Sequence, residues 1–553
     1  MHRGGMHAQR DHGSTGLAEV HDDPDAWDAV VVGTGMGGGM AGRRLAERGL
    51  RVLFLEKGRM IEPVERAPGF QQDDAAARLD SGHWPDRFGT SVDDIDADLS
   101  MSIGCGVGGS TLLYAAALER LSRDDVEDTP AQPHPTGGWP IAYDVLVGYY
   151  EQAERWLRVH GTAIPGEEDA AALLRPPPMR ASDAVLMQDL AAAGLAPYRL
   201  HVGIAYKPGC TECLGVPCPI ACKSDAKTCG VDPALAAGAT LKTDADVQYL
   251  EANADRVTGV VYRRAGRLHR ISAPIVIMAA GTMRTAPLLL ATRNAHWPEG
   301  LANRSGLLGR NLMFHVDNWF AIWPSRKAAG DGPTKTIGSR QLYRADGMRL
   351  GMIQATGLSA GYGNILSFLY NRFDASRWRA LRPARPFLRI PAKVAEKLFG
   401  TATILTMLVE DLPYAHNRLE LDANSPSGVR VHYRTPDELR RRARASRSLL
   451  KRALPDSRLF WLSADALINW GHPMGTCRFG VDPAESVLDA DCKAHDLDNL
   501  YVVDGSFMPT GGGVNPSLTI AANAIRVADR IADRLPAVVM PSAQAEAPEQ
   551  LPL

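Results

Sequence analysis

Trp27-Asp28-Ala29-Val30-Val31-Val32-Gly33-Thr34-Gly35-Met36-Gly37-Gly38 is the stretch whose reading decides the fold. The β-branched run predicts a buried strand, and the glycines that follow predict a tight turn. Helical spacing of apolar residues resumes at Met40, Ala41, Leu45 and Ala46. A second strand, Val52-Leu53-Phe54-Leu55, ends at Glu56, 18 residues beyond Gly38. Strand, glycine turn, helix, strand and acid form a dinucleotide-binding fingerprint. In it Gly33 permits the turn, Gly35 lets a pyrophosphate approach the backbone, and Gly38 allows close helix–strand packing at a helix N-terminus. Glu56 would accept hydrogen bonds from the adenosine ribose, a feature that does not separate NAD from FAD.

The remaining composition excludes several classes. The chain has 553 residues, 45% hydrophobic and 22% charged, enough to bury a large core. With 61 Lys and Arg against 63 Asp and Glu, the net charge is −2, which argues against bulk nucleic-acid binding. Eight cysteines are too few for a secreted disulfide scaffold. Residues 1–26 lack the apolar core of a signal peptide and are read as a mobile leader, and 536–553 as a tail. Ala273–Ala291, the most apolar long stretch, is broken by Gly281, Arg284 and Pro287 and fails as a membrane span, so a cytoplasmic protein is expected.

Further glycine clusters follow at Gly104-Cys105-Gly106-Val107-Gly108-Gly109-Ser110-Thr111 and, after the strand-like Tyr501-Val502-Val503-Asp504-Gly505-Ser506, at Gly511-Gly512-Gly513-Val514-Asn515-Pro516. Between them lies Gly471-His472-Pro473-Met474-Gly475-Thr476-Cys477-Arg478. Together with the N-terminal fingerprint these motifs, in this order over residues 27–535, resemble the glucose–methanol–choline oxidoreductases, FAD-dependent alcohol oxidases and dehydrogenases. The resemblance selects FAD over NAD. It implies an α/β fold in which a Rossmann-like FAD-binding domain (27–130, 225–310 and 460–535) is interleaved with an α+β substrate domain based on an antiparallel sheet (131–224 and 311–459). Gly108, Gly109 and Ser110 would lie against the flavin ring, Val247 by the adenine, Gly281 at a strand-to-turn junction, and Asp504, Gly505 and Pro516 near the pyrophosphate and ribityl chain. No His occurs between Ser91 and Glu119, where some relatives bond the flavin covalently, so non-covalent FAD is expected, with Cys105 a remote alternative attachment point. Tyr114 departs from the family, which commonly has Asn there.

Alcohol oxidation needs a base for the hydroxyl proton while hydride leaves the same carbon, and a neutral His suits that task. By motif match His472 is the base and Asn515 its hydrogen-bonding partner; Asn cannot take a proton at neutral pH, so it would orient the substrate oxygen through its amide. His315 is read as structural.

Cys210, Cys213, Cys218, Cys222 and Cys229 fall within twenty residues. Structural thiols or disulfides are the favoured reading. The alternatives are an iron–sulfur cluster on Cys213, Cys218 and Cys222, whose spacing matches cluster-bearing family members, and zinc. Residues 372–397 carry eight cations against Asp374 and Glu396, interleaved with aromatics; a solvated helix face is preferred to membrane contact. Glu410 and Asp411 end an apolar run and could hold a polyol or amino group. A sugar, aminosugar or cyclitol is the expected substrate, with dioxygen or a redox partner as electron acceptor. A sterol or other apolar alcohol is the second reading, and a non-redox flavoprotein the third.

Overall fold

The computed structural model describes residues 20–62, 74–130, 132–167, 172–328, 330–358, 365–366, 369–370, 373, 377–464 and 466–535. The strand Ala29–Val32 is buried along its whole length, at the centre of a five-stranded parallel sheet. The order is Leu500–Val502, Ile275–Met278, Ala29–Val32, Val52–Leu55, Thr240–Lys242. Continuous apolar runs such as Val52–Leu55 and Ile275–Met278 are what a sheet covered on both faces demands. From the central strand the chain proceeds first to one side and later to the other. The turns after Val32 and Met278 therefore diverge and leave a crevice beyond the carboxyl ends of the strands.

A second, antiparallel sheet runs Leu459–Trp461, Met313–Ile322, Thr403–Val409, Ile353–Ala355, Ile337–Ser339, Tyr198–Arg199. Its long strand Met313–Ile322 also pairs with Leu467–Met474. Helix Asp437–Ala453 packs on Thr403–Val409 and Met313–Ile322. The molecule is thus an α/β protein with a Rossmann-like layer, the one expected to bind FAD, interleaved with a part built on an antiparallel sheet.

Three boundaries differ from the sequence expectation. Residues 460–474, expected in the FAD-binding domain, supply Leu459–Trp461 and Leu467–Met474 to the antiparallel sheet. The hairpin Phe88–Val92 and Ile95–Leu99 leaves the FAD-binding part to pair with Val429–Tyr433 in a four-stranded sheet. Within the expected leader, Val20–Asp22 forms an edge strand on Arg267–Ile271; residues 1–19 and 536–553 lie outside the described residues. In each case the backbone pairs with strands distant in sequence, and local patterning carries no information about which distant edge is available.

Candidate active site

A cavity of about 520 Å³ opens at the crevice and continues to the antiparallel sheet. Gly33, Gly35, Glu56, Gly109, Ser110, Val247, Gly281, Asp504, Gly505, Asn515, Pro516 and His472 all line it, so chain segments hundreds of residues apart converge as the motifs imply. Gly38 and Gly108 do not line it and serve packing. A Cβ on Gly38 would meet Gly33 O at 2.1 Å, and one on Gly108, at φ 111°, would meet Leu112 and Lys227 at 3.2 and 3.3 Å. The two glycine loops also pack on each other: a Cβ on Gly109 would approach Gly35 Cα to 2.8 Å. Gly35 itself differs. Its own Cβ would find no atom nearer than 4.0 Å, so the space in front of it is open.

The crevice arm of this cavity fits FAD. Helices Met36–Glu47, Thr282–Ala291 and Ser517–Arg534 each present their first residue to it, and aligned peptide dipoles make three such N-termini a favourable place for a pyrophosphate. The two acids are held ready by neutral donors. Glu56 accepts from Thr34 N (3.1 Å), Thr34 Oγ1 (2.6 Å) and Gly58 N (2.9 Å), and Gly108 N donates to the same Thr34 hydroxyl (3.2 Å). Asp504 accepts from Gly281 N (2.9 Å), Thr285 Oγ1 (2.5 Å) and the backbone and hydroxyl of Ser506. Burial raises both carboxyls above their ordinary range against these hydrogen bonds.

At the far arm, His315 contradicts its structural reading. Its Nδ1 lies 3.1 Å from His472 Nδ1, the rings meeting edge to face. Its Nε2 lies 2.9 Å from Gly512 O. A carbonyl only accepts, so His315 Nε2 carries the proton. Burial lowers the His315 pKa to about 4, so the ring is neutral and its Nδ1 is a bare acceptor. His472 Nδ1 must then be the donor, which leaves His472 Nε2 unprotonated. Burial holds His472 well below the ordinary histidine range, with lesser contributions from His315 and Lys335. Asn515 Oδ1 is buried with no hydrogen-bond partner among the described residues, an acceptor left for a ligand.

His472 owes its position to a β-bulge. Between the pairings Met313↔Met474 and His315↔Asn469 one strand advances two residues and the other five. The four residues Trp470 to Pro473 thus face the single Phe314, and this bulge is a device that re-aims side chains beside active sites.

Glu410 and Asp411 do not line the cavity, which corrects their reading as substrate groups. Asp411 accepts from Phe314 N (3.0 Å), Tyr433 Oη (2.7 Å) and Leu412 N (2.8 Å), and burial raises its pKa to about 7. Glu410 accepts from Gly512 N (3.1 Å) and pairs bidentately with Arg349 (2.7 and 3.2 Å). It therefore holds the peptide segment whose carbonyl fixes the His315 tautomer. Tyr343 Oη, accepting from Gly513 N (2.6 Å) and donating to Asp125 (2.7 Å), braces the next residue. Arg349→Ala would strand the buried Glu410 carboxylate, so urea unfolding should show a loss of about 3–5 kcal/mol.

Among the polar side chains on the cavity wall that carried no motif are Asp317, Lys335 and Gln354. Asp317 and His315, two apart on one strand, share a face, a signal that alternation alone could have supplied once the strand was drawn. Lys335, 4% exposed, has its pKa lowered to about 8 by burial, partly offset by Glu212.

Four of the five clustered cysteines come together. Cys218 Sγ and Cys210 Sγ each lie 3.3 Å from Cys222 Sγ, and Cys213 hydrogen-bonds Cys218, whose thiol is thereby pulled down to about 4. Cys229 sits apart in the segment Lys227–Val231. All eight cysteines are free thiols, and among the described residues no group of three or more ligands is arranged to hold a metal ion. The buried Lys223 ties this loop down by donating to Leu112, Tyr114, Cys213 and Val216 carbonyls at 2.8–3.1 Å. Tyr114 lines the cavity and donates its hydroxyl to Ser224 O, which gives the departure from Asn a strapping role.

Comparison with known proteins agrees with this geometry. Family models described as GMC oxidoreductase match residues 28–317 and 413–524. The paromamine 6'-oxidase of Streptomyces fradiae is 31% identical over 559 residues, covering 94% of this chain and 93% of its own. The 6'''-hydroxyparomomycin C oxidase of Streptomyces lividus is 29% identical over 552 residues, covering 92% of each. In fold the chain is similar to the crystal structure of pyridoxine 4-oxidase from Mesorbium loti, with a TM-score of 0.60 and 18% identity over 91% of this chain and 99% of that one. Since the two matched regions carry the glycine crevice and the His472 bulge respectively, the chain belongs to the GMC oxidoreductases, FAD-dependent in general, and is an oxidoreductase acting on alcohol groups.

Proposed function

We propose that the enzyme oxidises a CH–OH group of a sugar, aminosugar or cyclitol to a carbonyl, with His472 as the base. The observation that carries this reading is the chain from Gly512 O through His315 to His472, which leaves His472 Nε2 bare on the cavity wall. His472 Nε2 accepts the substrate hydroxyl proton while His472 Nδ1–H remains donated to His315, so the ring cannot rotate away. Asn515 donates its Nδ2–H to the same substrate oxygen. Lys335, close enough to depress His472, disfavours a lasting imidazolium and so favours return of the proton to solvent. FAD, when bound, supplies the acceptor for the hydride. Gly33, Gly35, Glu56, Val247, Gly281, Asp504, Gly505 and Pro516 are assigned to hold it, with Gly109 and Ser110 beside them. Non-covalent binding is favoured because burial pushes the Cys105 thiol up, away from the nucleophilic thiolate. The polar side chains Asp317, Lys335 and Gln354 on the cavity wall and the names of the Streptomyces relatives support the substrate class.

One observation favours the second reading, an apolar alcohol taken at a membrane surface. Phe387, Ile390, Val394 and Leu398 are 53–70% exposed, the last three at four-residue spacing on helix Arg389–Phe399 among Arg389, Lys393 and Lys397. Arg372 and Asp374 lie outside the described residues. Among the described residues no helix is long and apolar enough to cross a membrane. Anaerobic mixing with an alcohol panel decides between the readings. Bleaching of the flavin by polyols and amino alcohols is expected; bleaching by long-chain or sterol alcohols alone would install the second reading. Repeating the panel with dioxygen and with artificial acceptors identifies the oxidant.

A further inference from the structure

Asp317 lies two residues from His315 on the strand Met313–Ile322, on the same face and about 7 Å further along it. Its Oδ2 accepts from Trp319 Nε1 (3.1 Å) and Asn469 Nδ2 (3.1 Å). Its Oδ1 is, among the described residues, the one buried carboxylate oxygen with no hydrogen-bond partner. Four buried acids of this fold are matched with arginines, Glu154 with Arg120, Glu119 with Arg340, Asp125 with Arg344 and Glu410 with Arg349, while Glu56, Asp504 and Asp411 have neutral donors on their oxygens. Asp317 meets only the neutral donors Trp319, Thr406 and Asn469, and burial raises its pKa to about 7.

A buried acid without a counter-charge, with one oxygen unpaired beside a cavity, is complementary to a cation. Two neighbours extend that complementarity. Trp319 and Trp470, whose aromatic rings attract positive charge, line the cavity as well. Gln354, in the same cross-strand row as Trp319 through Thr406, has a buried Oε1 without a partner among the described residues, a further acceptor for an N–H. Lys335 on the same wall opposes a cation, and its charge is felt at His472. The cavity is therefore polarised, with cation repulsion at the His472 end and an uncompensated acid at the other.

We propose that Asp317 is a specificity-determining residue that binds an ammonium group of the substrate, so that the enzyme takes amino alcohols with the amine at Asp317 and the carbinol at His472. This rests on the reading of His472 as base only for where the hydroxyl lies. Binding of a protonated amine converts the neutral Asp317 acid to a carboxylate and releases its proton to solvent; no bond in the substrate changes.

The test uses flavin-loaded enzyme and paired probes, glucosamine against glucose and a diaminocyclitol against the matching inositol, followed by calorimetry in two buffers of different ionisation enthalpy and by flavin bleaching. The aminated member of at least one pair should bind roughly 10- to 100-fold more tightly, the worth of a hydrogen-bonded charge pair. It should release close to one proton at about pH 6, and the isostere none. In Asp317→Asn the affinity ratio should fall to about one; should that variant not fold, the proton release by the native enzyme decides alone. No preference for an amine in either pair, preference without proton release, or a ratio that survives Asp317→Asn overturns the proposal. Amine preference with no bleaching would remove the alcohol-oxidation reading and leave the subsite. Bleaching by both members of a pair at equal affinity would do the reverse.

Discussion

His472→Ala should retain its flavin and lose flavin reduction by alcohol roughly 10²- to 10⁴-fold, the usual worth of a positioned proton acceptor. Rapid anaerobic mixing measures it, with the flavin absorbance of the variant as the control for binding. The retained flavin follows from the geometry: His472 stands on the bulge of the antiparallel sheet, whereas the crevice is built by the glycine turns and three helix N-termini. A neutral alcohol as substrate also gives a pH signature. The base must be unprotonated, and its pKa is lowered by burial. Activity is therefore full above that depressed value and lost as the pH falls through it, so kcat/KM should hold its neutral plateau through about pH 6.5, where an ordinary histidine would already be half-protonated. Bleaching of His472→Ala at the native rate would remove His472 as the base. An acid limb centred at or above 6.5 would remove the buried, neutral pair.

Gly35→Ala should fold and yet purify without flavin. Gly35 has φ −66° and ψ −169°, an extended conformation open to any residue, and its Cβ would project into empty space with Gly109 Cα 4.0 Å away. Ala in place of Gly ahead of helix Met36–Glu47 costs about 1 kcal/mol or less, so the apoprotein should unfold near the native midpoint. The same methyl occupies the face a dinucleotide must approach, and overpacking of 1–3 kcal/mol corresponds to roughly 5- to 150-fold weaker binding. Gly37→Ala is the contrasting case. Its Cβ would sit 2.1 Å from Val503 O, so that variant should fail at the fold itself. Flavin content per chain and circular dichroism separate the two outcomes. Gly35→Ala with a full complement of flavin would show that the crevice is not the cofactor site.

Much of the first arm of the site is legible from residue order alone. Ala29–Val32, the Gly33 turn and the Met36–Glu47 helix are contiguous, and what they need is local: β-branched residues for a buried strand, a positive φ at Gly33, and no side chain where Gly38 meets Gly33 O. His472, Asn515 and Asp504 are legible for a related reason, because each sits in a run of glycine and proline that confines the backbone. Even there, Gly108 and Gly109 turned out to be required by the packing of two loops and by their φ of 111° and 55°.

What residue order determined by itself, then, is the set of local conformations and the motif residues that ride on them: the crevice-forming turn, the acids Glu56 and Asp504, the base His472 and its neighbour Asn515. Tertiary structure alone decided the partners. His315 meets His472 across 157 residues, Glu410 braces Gly512 across 102, and Asp317 accepts from Asn469 across 152. The physical reason is register. A strand's alternation says which residues share a face, but which face looks into the cavity, and what stands opposite, is set by long-range hydrogen-bond pairing that no local pattern encodes.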